Sequence, residues 1–363
     1  MHSVIFFKCC FIAAWVLLIT CPNILAAQDQ SLKVAFKLGP LITHRTSIPQ
    51  ELRGLHPSGL ELNWSRSFNG DKSWHHAWGL PQYGLSAGYW NLDQPEYLGQ
   101  LMYLNAFFQK DLLRKTSKHD LNVRIGTGVS YHTEKYDSIK NTINNLNSQS
   151  INLMLEISME YQFAIQKRLY GSIGLGINHF SNASTQFPNI GLNIPYIKAG
   201  LTYRWKDAGF LKDDPPEVSS SKHPPYWNAL LSLASKSAGQ EFQDNDIAYS
   251  LSVSYLIPVD KKLTFVSSID YMYNNTIRKI LQNTTADQKR LGLAIGWQLD
   301  FGQTAFQICI GHYIYRPEKS IDEAIYHRFG LRHHIYKGLF LSAQLKSHKV
   351  RADVLEWGVG IRF

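Results

Sequence analysis

His179 and Ser181 stand two positions apart at the end of an alternating apolar run in IGLGINHFSNASTQFPNIGLN, residues 173–193. A serine hydroxyl is a weak nucleophile until a base can take its proton. A histidine held by a third polar group is suited to that task near neutral pH. Asn193 is the candidate third member, and Asn182 and Asn189 are candidate donors to an oxyanion. The chemistry would be acyl transfer to a serine hydroxyl. A His-x-Ser-Asn string arises by chance in about one chain in ten of this length. Position must therefore decide whether these residues form a site.

The elements around them read as strands. Leu121, Val123, Ile125, Thr127, Val129 and Tyr131 alternate with Asn122, Arg124, Gly126, Gly128, Ser130 and His132. Leu291, Leu293, Ile295, Trp297, Leu299 and Phe301 alternate with Arg290, Gly292, Ala294, Gly296, Gln298 and Asp300. A period of two with one apolar face is the pattern of a β-strand. The second face, rich in Gly, Ser, Asn, Arg and Gln, suits a polar lumen, and aromatics recur near strand ends.

About sixteen candidate strands follow from this pattern, with fourteen as the lower count: 33–43, 60–68, 82–92, 98–113, 121–134, 152–166, 169–182, 193–205, 225–239, 246–260, 263–275, 288–302, 304–317, 325–336, 338–348 and 353–363. Tight connections (166–168, 259–262, 301–303, 336–338) alternate with long polar ones such as 134–150 and 274–288. That asymmetry marks an outer-membrane barrel. The fold class expected is all-β, an antiparallel transmembrane outer-membrane β-barrel, with residues 28–363 as one barrel domain. Residues 69–81 and 206–224 are longer than turns should be. The second, KDAGFLKDDPPEVSSSKHP, reads either as an interdomain linker or as a long periplasmic loop, and the unchanged alternation after it favours the loop. Leu355, Trp357, Val359, Ile361 and Phe363 alternate to the C-terminus, like the closing strand of bacterial outer-membrane proteins.

Depth follows from strand geometry. A rise of about 3.3 Å per residue at a tilt of about 40° gives about 2.5 Å of height per residue. Ten residues separate Leu169 from His179, which is about 25 Å, the height of the apolar band. His179 and Ser181 thus continue a lipid-facing side at its outer rim. Asn193 begins the corresponding face of the returning strand.

Composition agrees. Aromatics make up 13% and charged residues 18%, a balance suited to a large non-aqueous surface. The net charge of +9 (37 Lys and Arg against 28 Asp and Glu) forms no long basic block. It suits anionic headgroups and gives no case for nucleic acid. Residues 1–27 read as a secretory signal, with apolar runs at 4–7 and 11–19 and Leu25-Ala26-Ala27 before cleavage. Thr20 disfavours a lipoprotein reading at Cys21. Cys9, Cys10 and Cys21 fall in that segment, which leaves Cys309 without a partner. No segment after residue 27 has eighteen consecutive apolar residues, so no transmembrane helix is expected.

The string HFSNASTQFPNIGLN resembles the active-site segment of the lipid A 3-O-deacylase (PagL) and acyloxyacyl hydrolase family, with His-x-Ser-Asn followed by Pro-Asn-x-Gly. The resemblance covers residues 170–205. It implies a barrel of the bacterial outer membrane that removes an ester-linked 3-hydroxyacyl chain from the lipid A of lipopolysaccharide. Ser181 would be nucleophile and His179 base, with Asn182 and Asn189 at the oxyanion. Two departures stand. The family's third member is a glutamate twelve positions after the serine, where this chain has Asn193, and the family's small barrels have eight strands. A Ser–His–Asn set is similar instead to outer-membrane phospholipase A, which uses calcium and dimerises. No counterpart of its calcium ligands is legible here, so no metal or cofactor is expected unless the phospholipase reading holds. A homodimer is left open. Glu156 and Glu160 alternate onto the lumen side and cannot replace Asn193.

The expected function is lipid A deacylation, with phospholipase A as the enzymatic alternative and a porin-like barrel as the non-catalytic one. For the last, Arg124, Lys198, Arg204 and Arg290 would line an anion path. The pairs His75-His76 and His333-His334 make poor joint ligands, because neighbouring strand residues face opposite ways. The glycines of GSIGLG, residues 171–176, have no following helix and form no phosphate loop.

Overall fold

The computed structural model describes residues 30–43, 46–113, 118–205, 224–242, 244–349 and 351–363 of the 363-residue chain. The expected signal segment with its three cysteines lies outside these residues, as does most of 206–224. Sixteen antiparallel strands are present among the described residues: β1 (Gln30–Leu38), β2 (Ser58–Ser67), β3 (Gln82–Asn91), β4 (Gln100–Asp111), β5 (His119–His132), β6 (Ile151–Ala164), β7 (Leu169–Ser181), β8 (Leu192–Arg204), β9 (Tyr226–Ser237), β10 (Asn245–Pro258), β11 (Leu263–Asn274), β12 (Lys289–Phe301), β13 (Thr304–Tyr315), β14 (Ile325–Tyr336), β15 (Leu339–His348) and β16 (Arg351–Arg362). All boundaries but those of β1 fall within two residues of the sequence expectation. No helix among the described residues is long and apolar enough to cross a membrane.

The strand count agrees with the sequence, but the single-barrel domain does not. The strands close as two rings of eight, β1–β8 and β9–β16. β8 returns to β1, with Leu201 opposite Val34, and β16 closes on β9, with Val359 opposite Leu231. The C-terminal strand therefore seals the second ring rather than meeting β1. Its last residue, Phe363, exchanges both backbone hydrogen bonds with Trp227, each 3.0 Å. The segment after β8 joins two closed rings and is the interdomain connection that the sequence reading set aside. Alternation reports the faces of a strand and not its closing partner, so a period of two runs unchanged through both rings.

Each ring is solid. An eight-stranded barrel has an interior just wide enough for side chains. In the first, Lys37 is fully buried and donates to Glu61 Oε2 (2.8 Å) and Asn178 Oδ1 (3.0 Å). The ammonium lies 4.6–5.0 Å from the ring centroids of Trp90, Tyr103 and Tyr196. Glu160 pairs with Lys33 and with Lys198 (3.1 Å). In the second ring, Arg328 forks onto Glu356 (2.8 and 3.1 Å) and reaches Asp270 at 3.1 Å. The cations expected to line an anion path are paired instead: Arg124 with Glu61 (3.5 Å), Arg204 with Asp120 (2.7 Å) and Arg290 with Asp322 (3.0 Å). The sixteen-stranded lumen that a porin-like function needed does not form.

Outward side chains make an apolar belt. Ile157, Ile173, Leu175, Ile197, Leu231, Leu233 and Ile295 are all more than half exposed, as a lipid-facing wall requires. Long loops gather at one rim, called the outer rim, and short turns at the other. The exception at the inner rim, residues 69–81, carries a short helix, α1 (Ser73–Ala77). Its neighbour Trp78 stacks on Phe301 of the second ring at 4.6 Å.

Candidate functional site

β7 and β8 run side by side, and at the outer rim His179 lies directly opposite Asn193. The faces alternate as the sequence requires. Tyr170, Ser172, Asn178 and Phe180 point inward and are at most 4% exposed. Ile173 and Leu175 point outward at 58% and 57%. His179 and Ser181 share the outward side and are half-buried.

Their inward neighbours fix the backbone beneath them. Phe180, Leu192 and Ile194 sit in an apolar cluster with Trp90, Leu101, Met154 and Leu146 that closes the outer end of the first barrel. Loop residues Leu41, Ile48, Leu52 and Leu98 fill the same cluster. Ile42 adds a hydrogen bond from its N–H to the carbonyl of Asn193 at 2.9 Å.

On this base the three polar side chains form a relay. The Asn193 side-chain oxygen stands 2.8 Å from His179 Nδ1, and His179 Nε2 stands 2.9 Å from Ser181 Oγ. An amide oxygen accepts only, so Nδ1 carries the proton and donates to it. Nε2 is then left to accept from the serine hydroxyl. The asparagine thus sets the tautomer that a general base needs, without adding a charge.

The two other expected residues differ in role. The side chain of Asn182 turns inward, is 5% exposed, and donates to Ser148 Oγ (3.1 Å) and to the Gln186 carbonyl (2.8 Å). It braces the loop and offers no side-chain donor to the serine. Its main-chain N–H donates to Asn189 Oδ1 at 3.2 Å. That bond uses the oxygen of Asn189 and leaves its NH₂ group as a donor. Glu156 and Glu160 are buried in the lumen, where Glu156 accepts from Tyr196 Oη at 2.6 Å.

Gly191 was given no role by the sequence reading. Its φ is +82°, and a Cβ there would lie 3.1 Å from His179 Cε1 and 3.5 Å from Ser181 Cβ. The chain presses against the relay at this point, and its N–H is held by the Leu146 carbonyl at 2.9 Å. The glycine in Pro188-Asn189-Ile190-Gly191 was the available signal.

The strand argument holds for one histidine pair and not for the other: His333 and His334 lie on β14 and face opposite ways, whereas His75 and His76 are helical. His75 and His76 lie on α1, where His76 Nε2 bonds the Gly70 carbonyl at 2.7 Å. His333 Nδ1 bonds Thr304 Oγ1 at 2.9 Å, and the ring of His334 packs on Phe340. Among the described residues, Asp322, His348 and Asp353 bring three ligand-type atoms within 4.8 Å of one another. Lys236, Lys346 and Arg290 already pair with these carboxylates, which makes the cluster a poor cation site.

Two family descriptions match the chain. "Lipid A 3-O-deacylase (PagL)" spans residues 58–202, and "Acyloxyacyl hydrolase, C-terminal domain" spans 226–363. The second begins at the first residue of β9, so the boundary between the matches is the boundary between the rings. No curated protein matches. The crystal structure of the outer-membrane enzyme PagL aligns at 18% identity with a TM-score of 0.34, over 46% of this chain and 97% of that one. Variants of the Rhodopseudomonas blastica porin align at 8–9% identity with TM-scores of 0.18–0.19, over 92% of this chain and 99% of theirs. The family matches, one to each barrel, place the chain in the lipid A 3-O-deacylase (PagL) and acyloxyacyl hydrolase family of outer-membrane β-barrels.

Proposed function

We propose that this protein is a serine esterase of the bacterial outer membrane that removes an ester-linked 3-hydroxyacyl chain from lipid A. The observation that carries the reading is the outward relay Asn193–His179–Ser181, with contacts of 2.8 and 2.9 Å, at the top of an apolar wall. A lipid ester in the outer leaflet meets such a site from the side. Its acyl chains would lie against Ile173, Leu175 and Ile197, and its carbonyl would reach Ser181.

In the proposed reaction Ser181 Oγ attacks the ester carbonyl as His179 Nε2 takes its proton. The tetrahedral oxyanion is met by donors from the turn, with the Asn189 NH₂ as candidate. His179 then gives the proton to the leaving sugar oxygen, and the acyl group remains on Ser181. Water, deprotonated by the same nitrogen, attacks the acyl carbonyl; the bond to Ser181 Oγ breaks, Oγ takes the proton back from His179, and the fatty acid leaves. Asn193 Oδ1 keeps Nδ1 protonated throughout. A carboxylate would also stabilise the imidazolium electrostatically, and that share is missing here. The relay itself needs no metal.

Mass spectrometry of lipid A from cells expressing the protein tests this reading. Loss of one 3-hydroxyacyl mass with the wild type, absent with Ser181→Ala, is expected. Identical lipid A from the two would refute it. Calcium-dependent release of fatty acid from phospholipid would instead favour a phospholipase, to which the asparagine third member is similar.

A further inference from the structure

We infer that the second barrel is a positioning element for the turn that follows the nucleophile, acting on Ser181 through Ser184 and Thr185. The inference rests on the Ser181 reading above. The turn is strained. Ala183 and Ser184 are consecutive non-glycine residues at φ +52° and +64°. A side chain in this left-handed region is crowded against its own backbone, so two in succession are unfavourable on their own. Tight turns with two positive φ angles normally use Asn-Gly or a similar pair. Here the sequence is Ala-Ser, so the turn depends on contacts outside its own backbone.

Internally it is closed by the Thr185 N–H and Thr185 Oγ1, which donate to the Asn182 carbonyl at 3.2 and 2.9 Å. Two further hydrogen bonds come from the other barrel. Ser184 Oγ donates to the carbonyl of Ala352, at the start of β16, at 2.8 Å. Asn245 Nδ2, at the start of β10, donates to the carbonyl of Thr185 at 2.8 Å. Ser184 is 5% exposed, so leaving its hydroxyl unpaired would be costly. Gln240 adds a bond to Tyr136 Oη at 2.6 Å, on the neighbouring outer loop of the first barrel.

The grip is backed at the far rim. Trp78 Nε1 donates to the Asp300 carbonyl at 2.7 Å, and Phe301 packs on both Trp78 and Phe108. Contacts at two rims fix one barrel's orientation on the other, so β10 and β16 are held where the turn needs them. Asn182 begins the turn and directly follows Ser181. If the left-handed pair relaxes, the Ser181–Asn182 peptide rotates and the 2.9 Å contact with His179 opens. None of Ser184, Thr185, Asn245 or Ala352 bonds to the relay, so these are positioning residues and not catalytic ones.

The test uses the full chain in detergent micelles, with a chromogenic p-nitrophenyl acyl ester as substrate and a fluorophosphonate to label Ser181. Ser184→Ala removes the donor from the first barrel. Asn245→Asp keeps size and shape in the second barrel and also removes its donor. Folding is followed by heat-modifiable gel mobility, and Asn245→Asp serves should Ser184→Ala fail to fold. Each is expected to lower kcat and the labelling rate together by about tenfold, with KM within about twofold, as a displaced nucleophile requires. A change in KM alone, or kcat and labelling both within about twofold of wild type, would overturn the inference. Ser181→Ala is run alongside. If it abolishes turnover while both positioning variants remain fully active, the inference falls and the esterase reading stands. If Ser181→Ala retains turnover, both fall.

Discussion

The two barrels share a plan and differ at one strand end. Both are eight-stranded, both bury an ion-paired interior, and both wear an apolar belt. In the first, β7 ends in His179-Phe180-Ser181 and is followed by a ten-residue loop, 182–191. In the second, the equivalent β15 ends in Ser347-His348 and turns back after two residues, 349–350. There the register shifts between Lys346 and Ser347, Ser347 is 6% exposed, and His348 Nε2 meets Tyr313 Oη at 3.1 Å. A third pair on β5 shows the inverse phase: Ser130 Oγ and His132 Nε2 are 3.1 Å apart, both buried in the first lumen. Serine and histidine are thus paired, or adjacent, at three strand ends. Only one pair faces the membrane with an asparagine beside it. Residue type supplies the chemistry, and the phase of the strand decides whether a lipid can reach it.

The largest expected contrast separates equivalent strand ends. Ser181→Ala should lower ester hydrolysis by at least about 10³-fold, while Ser347→Ala leaves it unchanged. Equal losses in micellar assays would break the contrast. Next come the inward anchors. Phe180 and Phe340 are 0% and 1% exposed, and alanine at either should cost about 3–5 kcal/mol of barrel stability. Only Phe180→Ala should also cut kcat in the molecules that remain folded, as read by urea titration beside activity. A smaller effect is expected at Gly191. With φ at +82° and the imidazole 3.1 Å from an added Cβ, Gly191→Ala should reduce kcat about 10- to 100-fold by displacing His179. Unchanged turnover would mean that the loop yields freely.

The smallest expected effect lies at an exposed pair on the second barrel. Lys349 donates to Glu323 at 2.8 Å and holds its carboxyl below the ordinary range. Such a contribution is present above the ordinary carboxylate range and fades as pH falls through the lowered value. Both partners are exposed, so salt screens the pair. Lys349→Ala should leave the melting midpoint and the activity unmoved, and a clear drop would give that rim a role it has not been assigned.

Much of this was legible in the sequence because strands write their two faces into alternate residues. Fifteen strand boundaries, the outward side of His179 and Ser181, and the pairing with Asn193 all follow from counting by two along β7 and β8. What alternation cannot encode is the closing partner: it suggests one barrel sealed by the C-terminal strand, whereas that strand seals only the second ring, on β9. Nor does it describe loops. The inward turn of Asn182 depends on Ser148, thirty-four residues away. The pressure of Gly191 on the imidazole depends on a fold-back that no local pattern records.

Closure as two rings carries a consequence for assembly. Each wall joins its own first and last strands, β1 with β8 and β9 with β16. Halving the stretch of chain to be closed changes the entropy of closure by only about 0.6 kcal/mol. The entropy of sealing any one ring therefore depends little on its length. What two seals change is the order of events: neither half waits for the other to hide its last unpaired edge, while the hydrogen bonds of Ser184 to Ala352 and of Asn245 to Thr185 form only once both halves are in place.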